Sequence, residues 1–277
     1  MKRARKVVFH LCILAFGLLM IYPVLWMVGA SFGDNVGILQ GTFRLIPETL
    51  NPANYITGWR GFGGVSFAVF FRNSLVISVI ATAGCVISSS LAAYAFTFLR
   101  FPGKRFWFVC MIGTLLLPSQ VLMIPQYLIF HRLGMVPGML PLVLPYFCGQ
   151  AFFIYQMMQF LATFPRELIL AARVDGCSLF GIYAKIVLPM MKPVLITTIV
   201  IQFYWKWNDY LGPLLYLSRP ASYPVSIALK LFTDSASTTD YGAMFAMSTL
   251  SLIPVFVIFL VFNRRLVQGR TTSGIKS

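Results

Sequence analysis

Long apolar runs separated by short basic segments set the pattern of this chain. From Val7 to Phe32 there is no Asp, Glu, Lys or Arg, and Lys2, Arg3, Arg5 and Lys6 stand just before it. That run exceeds the roughly 7 to 15 apolar residues of a signal-peptide core and reaches the about 20 that cross a bilayer. Similar runs cover residues 74–99, 106–130, 140–164, 194–217 and 244–263. Together with 7–32 they predict an all-α polytopic membrane protein with six transmembrane helices, residues 1–277 forming a single transmembrane domain. Gly84, Ser88 and Ala92 recur every four residues in the second span and predict close helix packing. Pro118 and Pro125 predict a kinked third span.

Composition agrees with that reading and excludes others. Hydrophobic residues make up 58% and charged residues 10% of the chain, against about 25% charged in soluble domains. A soluble globule so poor in charge would expose apolar patches that associate, and disorder needs low hydrophobicity. The net charge of +15 from 22 basic and 7 acidic residues first suggests nucleic acid. Its distribution gives a different answer. Six spans put both termini on one side, and the segments of that side carry fifteen basic residues against Glu167 and Asp175, a net of +13. Opposite segments carry six basic residues against four acidic ones, a net of +2. By the positive-inside rule both termini face the cytoplasm, and nucleic acid is not expected as a partner.

The connections follow from the same count. Gly33 to about Ala68 is an outer loop with Gly, Pro and Asn punctuation and no helical periodicity. Inside, Arg100-Phe-Pro-Gly-Lys-Arg105 is a tight turn, and residues 165–193 form one long connection. Catalytic sets do not assemble. Five cysteines lie at 12, 85, 110, 148 and 177 with no CxxC pair, and read as apolar packing residues. His10 and His131 stand alone. Gly103-Lys104 lacks the upstream glycine and the following Ser or Thr of a phosphate-binding loop, so the chain is not expected to hydrolyse ATP.

Residues 165–193 carry most of the information. Pro165 suits a first helical position and Glu167 the positive end of the helix dipole. Leu168, Ala171, Ala172 and Asp175 fall at i, i+3, i+4 and i+7, a narrow face of small residues that another surface can approach. Gly176 permits the helix to end. A second short helix from Ser178, with Leu179, Tyr183, Ile186 and Val187 on one side, is expected to stop at Pro189. Two short helices joined by a glycine turn on the positive side read as a docking element. An interfacial helix on the membrane would instead show a broad apolar face opposite lysines.

Here the sequence resembles a family. Glu-Leu-x-x-Ala-Ala-Arg-x-Asp-Gly at 167–176, then Phe180 and Ile-Val-Leu-Pro-x-x-x-Pro at 186–193, is similar to the EAA loop of binding-protein-dependent ABC importer permeases. Ile46-Pro47, Asn54-Tyr55, Asn73-Ser74, residues 93–96, Arg100-Phe-Pro-Gly-Lys104, Trp207-Asn-Asp209 and a tail from Gly269 to Gly274-Ile-Lys276 extend the likeness over nearly the whole chain. The combination resembles the carbohydrate-uptake branch, and within it the smaller maltose-type permease subunit. One departure is Leu170, where the family usually has Glu.

The resemblance implies the ABC importer type I permease fold and a multi-pass subunit in a bacterial or archaeal cytoplasmic membrane. It would pair with a related permease, two ATP-binding cassette ATPases and an extracytoplasmic solute-binding protein, and move a sugar or oligosaccharide inward by alternating access. It also implies that Glu167, Leu168, Ala171, Ala172, Asp175 and Gly176 dock an ATPase and transmit its closure. No cofactor is expected in this chain, ATP and Mg being bound by the partner ATPases.

Polar residues inside the fifth span suggest the pathway. Lys206 lies about 20 Å beyond Pro193 at about 1.5 Å per residue, deep enough that an ionisable group must pair or line a cavity. Gln202 and Lys206 share a helix face, Lys206 and Asp209 can form an ion pair, and Asn208 lies beside them. Tyr204, Trp205, Trp207 and Tyr210 could flank a sugar or could form an interfacial belt. Two alternatives stay open: the same architecture carrying a polyamine or phosphate ester, and an ion-coupled secondary transporter. For the latter only Asp209 is a mid-membrane acid, and Lys206 is close enough to neutralise it.

Overall fold

A computed structural model describes residues 2–40, 50–233 and 240–271 of the chain. Ile46-Pro47 and the tail Gly274-Ile-Lys276 therefore lie outside the described residues. Those described form helices joined by turns, with one isolated bridge between Phe62 and Val65 and no strand. In chain order the helices are α1 (Lys2–Ala30), α2 (Asn35–Leu39), α3 (Ala53–Arg60), α4 (Phe67–Phe98), α5 (Lys104–Leu115), α6 (Ser119–Arg132), α7 (Leu140–Val143) and α8 (Ala151–Leu161). There follow α9 (Arg166–Val174), α10 (Leu179–Ile182), α11 (Leu188–Met190), α12 (Lys192–Trp207), α13 (Leu211–Tyr216), α14 (Val225–Leu231) and α15 (Tyr241–Thr271).

The all-α polytopic class is as expected, but the spans are less regular than the apolar runs. Among the described residues three helices are long and apolar enough to cross a membrane, α1, α4 and α15. The count rises to five if two bent pairs each make one span. One such pair is α5 with α6, which meet at 107°. The break falls at Leu116–Pro118, where the proline ends the first helix instead of bending it, while Pro125 sits inside α6. The fourth run, 140–164, is not one helix: α7 passes into a 3-10 turn at Leu144–Cys148, Gly149 takes φ +82°, and α8 starts afresh. Pro141, Pro145 and Gly149 supply the breaks, since proline lacks a donor and glycine alone takes that φ without strain. The outer loop also holds structure: Asp34 caps α2 by accepting from the Gly37 amide at 2.9 Å, and α3 follows after Pro52.

The chain divides into two compact units. The first comprises residues up to Phe71 together with Ile227–Ile253. In it the Asn54 amide donates to the carbonyls of Ser31 (3.0 Å) and Gly33 (2.8 Å), tying α3 to the end of α1. Gly58 is needed there because a Cβ would come 2.8 Å from Met247. The apolar stretch of α1 is exposed over most of its length, and packs within the unit near its end, where the Trp26 ring meets that of Phe245 edge-on at 5.2 Å and Ala30 is buried.

Arg72–Ser226 and the residues from Pro254 onward form the second unit. Its core gathers Ala93 and Tyr94 of α4, Ile154, Met157 and Leu161 of α8, Ile169 and Ala172 of α9, Ile182, Tyr183 and Val187, and Met191 and Val194. The expected close packing at Gly84 and Ser88 is present: a Cβ on Gly84 would lie 2.6 Å from the Phe147 ring. Of the cysteines only Cys85 is buried; Cys12, Cys110, Cys148 and Cys177 lie on the chain's surface and do not pack internally as expected.

Candidate functional site: a polar cavity joined to a docking segment

A cavity of about 420 Å³ opens in the second unit between α6, the 3-10 turn, α8, α12 and α13. Gln202, Trp205, Lys206 and Asp209 line it from the fifth apolar run. Lys206 is the charge that must be accommodated. Its ammonium lies 2.5 Å from Asp209 Oδ2 and 4.7 Å from the centroid of the Tyr146 ring. Its side chain is 6% exposed and that of Asp209 23%, so the pair neutralises itself where an isolated charge would be costly. Asp209 does more than balance charge: Oδ1 accepts from the Gly212 amide at 3.1 Å at the start of α13, and its carbonyl accepts from Ser226 Oγ at 2.7 Å.

Asn208 departs from the expectation. Its amide donates to the Tyr204 carbonyl at 2.9 Å on an exposed face and does not line the cavity. At i+2 from Lys206 it points to another side of the helix. Among the four aromatics only Trp205 lines the cavity, its ring 5.4 Å from that of Phe153 and 5.5 Å from that of Phe152; Tyr204 is exposed and Trp207 buried.

Two lining residues escape a reading by hydropathy, Tyr146 and Gln150. Both are aimed by the break in the fourth run, and α4 holds that break in place. Ser88 Oγ donates to the Tyr146 carbonyl (2.9 Å) and accepts from the Gly149 amide (3.1 Å), while Ser89 Oγ accepts from the Gln150 amide (3.1 Å). These bonds satisfy backbone groups freed where the helix is interrupted, a requirement at membrane depth. Gln120 and Gln126 of α6 add two more amides to the lining.

The docking segment forms as two helices with a glycine turn. At the end of α9 Gly176 has φ +76°, its amide donates to Arg173, and the Cys177 amide donates to Ala172. This is the paired hydrogen-bond pattern of a Schellman C-cap. Ser178 caps α10 by accepting from the Gly181 amide at 3.1 Å. Pro189 does not stop the second helix. Tyr183–Val187 forms a π-turn before it, and the chain stays helical to Met190. A wider turn at residue 185 relieves the clash that a proline makes with the carbonyl four residues back.

The two faces of α9 are not divided as the spacing suggested. Ala172 is buried beside Ile169 in the core and offers no surface to another protein. Outward lie Glu167, Leu168, Ala171, Asp175 and Gly176, joined by Leu170 (60% exposed) and Val174 (87% exposed). A 100° rotation per residue places 169 and 172 together and sends 168, 171 and 175 to the adjoining face. The segment is anchored to α4: Tyr94 Oη donates to the Leu179 carbonyl at 3.0 Å, and the hydroxyls of Ser90 and Tyr183 lie 2.8 Å apart.

Comparison with known proteins places the chain in a family. Residues 84–272 match the family described as binding-protein-dependent transport system inner membrane component, which takes in the cavity and the docking segment. The trehalose transport system permease protein SugB of Mycobacterium tuberculosis is 32% identical over 257 residues, 92% of each chain. The sn-glycerol-3-phosphate transport system permease protein UgpE of Yersinia pestis is 30% identical over 278 aligned positions, 98% of each chain. A chain in the crystal structure of a bacterial ABC transporter importing the acidic polysaccharide alginate superimposes with a TM-score of 0.83 at 21% identity, covering 95% of this chain and 96% of that one, which establishes the same fold. With more than half of its length matched and relatives at this identity along almost all of it, the chain belongs to the family of binding-protein-dependent transport system inner membrane components, the membrane-embedded permease subunits of ABC transporters.

Proposed function

We propose that this chain is one permease half of an ATP-driven importer that carries a sugar or oligosaccharide into the cytoplasm. It pairs with a related permease, two ATPase subunits that bind ATP and Mg, and an extracytoplasmic binding protein. The excess of basic residues on one side supports six crossings with both termini in the cytoplasm. Two of those crossings are then the broken runs 106–130 and 140–164.

The observation that carries the reading is the continuity of α12. Its first turns share a core with α9, and its last turns bring Gln202 and Lys206 to the cavity. Some 14 residues separate Lys192 from Lys206, about 21 Å at about 1.5 Å per residue. A displacement of α9 by a closing ATPase dimer is thereby passed to the lining of the pathway as movement of a packed body, which a dense core transmits without absorbing. The exposed face from Leu168 to Val174, with Asp175 and Gly176 at its end, is the contact surface for the ATPase. Leu170, at the position where the family usually has Glu, makes that contact more apolar.

Sugars are favoured because the cavity lining combines amides with aromatic rings and holds one internally neutralised ion pair. A phosphate ester needs a free cation, and a polyamine needs free carboxylates; neither type of group lines the cavity among the described residues. Affinity purification of the tagged chain from detergent-solubilised membranes tests the assembly. An ATPase subunit is expected to copurify, and reconstituted uptake should require ATP. Purification of the chain alone, with unaided solute uptake in liposomes, would refute the proposal.

A further inference from the structure

The turn between α4 and α5 gathers cations with no acid to answer them. Lys104 Nζ donates to the Leu99 carbonyl at 2.9 Å, which pins the part-buried ammonium at the end of α4. Leu99 and Phe164 pack on one core, and Phe98, Phe164 and Pro165 line one apolar cleft, so the start of α9 lies against that turn. Arg166 is near enough there for its charge to act on Lys104. Arg100 and Arg105, both exposed, flank the pair in sequence. Among the described residues none of these four forms an ion pair, and Glu167 answers none of them. Like charges held together cost free energy, and α5 adds to that cost by opening on Lys104 and Arg105 with no acid in its first turn, where a helix favours one. The apolar runs 74–99 and 106–130 both end at this turn, which puts it where a membrane surface begins. Phe106 and Trp107 stand exposed beside the cations, and the Trp107 ring lies against the turn: a Cβ on Gly103 would come 3.5 Å from its Nε1.

We propose that this basic turn binds an anionic phospholipid, its phosphate between Lys104 and Arg166 and its acyl chains along Phe106 and Trp107. The inference goes beyond the importer reading and needs only that the chain lies in a membrane. A phosphodiester supplies the negative charge that the four cations lack: a guanidinium fork bonds two phosphate oxygens at once, and an ammonium adds a point charge. Basic pockets between membrane helices recognise headgroups in this way. A zwitterionic lipid brings its own ammonium into the cluster and gains less. An acidic protein surface could answer the charges but would leave Phe106 and Trp107 uncovered where they run onto the apolar segment, whereas an indole suits a lipid, with headgroups at one edge and hydrocarbon at the other. Because Lys104 and Arg166 come from different elements, one bound phosphate ties the start of the docking helix α9 to the α4–α5 turn.

Native mass spectrometry of the detergent-purified complex, titrated with phosphatidylglycerol or with phosphatidylcholine, tests this. Phosphatidylglycerol should be retained in preference to phosphatidylcholine. Lys104→Gln and Arg166→Gln should each lower that retention roughly fivefold, the worth of one cation at a membrane surface, while Lys104→Arg keeps the charge and should keep the lipid. Arg219→Gln removes an exposed cation outside the cluster and should change nothing. Excess inorganic phosphate should not displace the lipid, because a free anion lacks the chains that Phe106 and Trp107 hold. If Lys104→Gln does not assemble, Arg166→Gln, altered at an exposed position, carries the test. Equal retention of the two lipids, undiminished retention in the Gln variants, an equal drop in Arg219→Gln, or displacement by inorganic phosphate overturns the proposal. Loss of the copurifying ATPase from Arg166→Gln with lipid retention intact would assign the cluster to that subunit and overturn it as well.

Discussion

Replacing Gly176 isolates the link between docking and transport. The residue sits at φ +76° in the C-cap of α9, and a Cβ added there would meet nothing within 4 Å. A substitution therefore brings no clash, only the backbone cost of the left-handed region, about 1 to 2 kcal/mol for an ordinary residue and more for a β-branched one. A change of one to two kcal/mol alters a two-state ratio by a factor of about 5 to 30. For Gly176→Val the local equilibrium shifts by that factor away from the Schellman cap, and α9 no longer meets α10 at a fixed angle. The core residues Ile169, Ala172 and Tyr183 are untouched, so the protein should still insert and accumulate. Uptake in proteoliposomes is expected to fall at normal membrane abundance, by at most about 5- to 30-fold. Gly176→Asn is the control, because Asn tolerates the left-handed conformation; it should retain most of the activity. Wild-type uptake by the Val variant, or equal loss in Val and Asn, would refute the argument from backbone geometry.

Other substitutions probe the remaining parts. Asp209→Ala leaves Lys206 buried without its partner and frees the Gly212 amide; breaking a fully buried pair costs about 3 to 5 kcal/mol, discounted here because Asp209 is 23% exposed, and thermal unfolding of the purified complex should drop measurably. If the melting temperature is unchanged, the pair does not hold α12 to α13. Leu at 172 overpacks the core and should lower folded abundance by the equivalent of about 1 to 3 kcal/mol, whereas Leu at the exposed Ala171 should leave abundance intact and weaken ATPase retention on the column. The reverse pattern would show that the faces of α9 have been assigned the wrong way round.

Much of this was readable from residue order. The apolar runs 7–32, 74–99 and 244–263 fall on the long helices α1, α4 and α15, the glycine turn at 176 located the end of α9, and the i, i+3 spacing of Lys206 and Asp209 anticipated their ion pair. Hydropathy could not separate a continuous helix from the broken one at residues 140–161, because Tyr146, Phe147 and Cys148 are apolar in either form. Pro145 and Gly149 were the available signals, and together they mark the break that turns Tyr146 and Gln150 into the cavity. Ala172 was placed on the docking face because small residues at helical spacing suit a tight interface and a tight core equally. Which one it serves depends on Tyr94 and Met157, distant in sequence, packing around it. The bond from Tyr94 to Leu179 spans 85 residues and has no local trace.

The central claim is that the exposed face of α9 receives the energy-supplying subunit. A photo-crosslinking residue placed at Ala171, in the assembled complex in native membranes, tests it most directly. The account predicts an adduct with the ATPase subunit whose yield changes when ATP is added, while the same probe at the exposed Leu128 of α6, beyond the break in the third apolar run, gives none. Sugar uptake by the complex with no ATPase adduct from position 171 would contradict it.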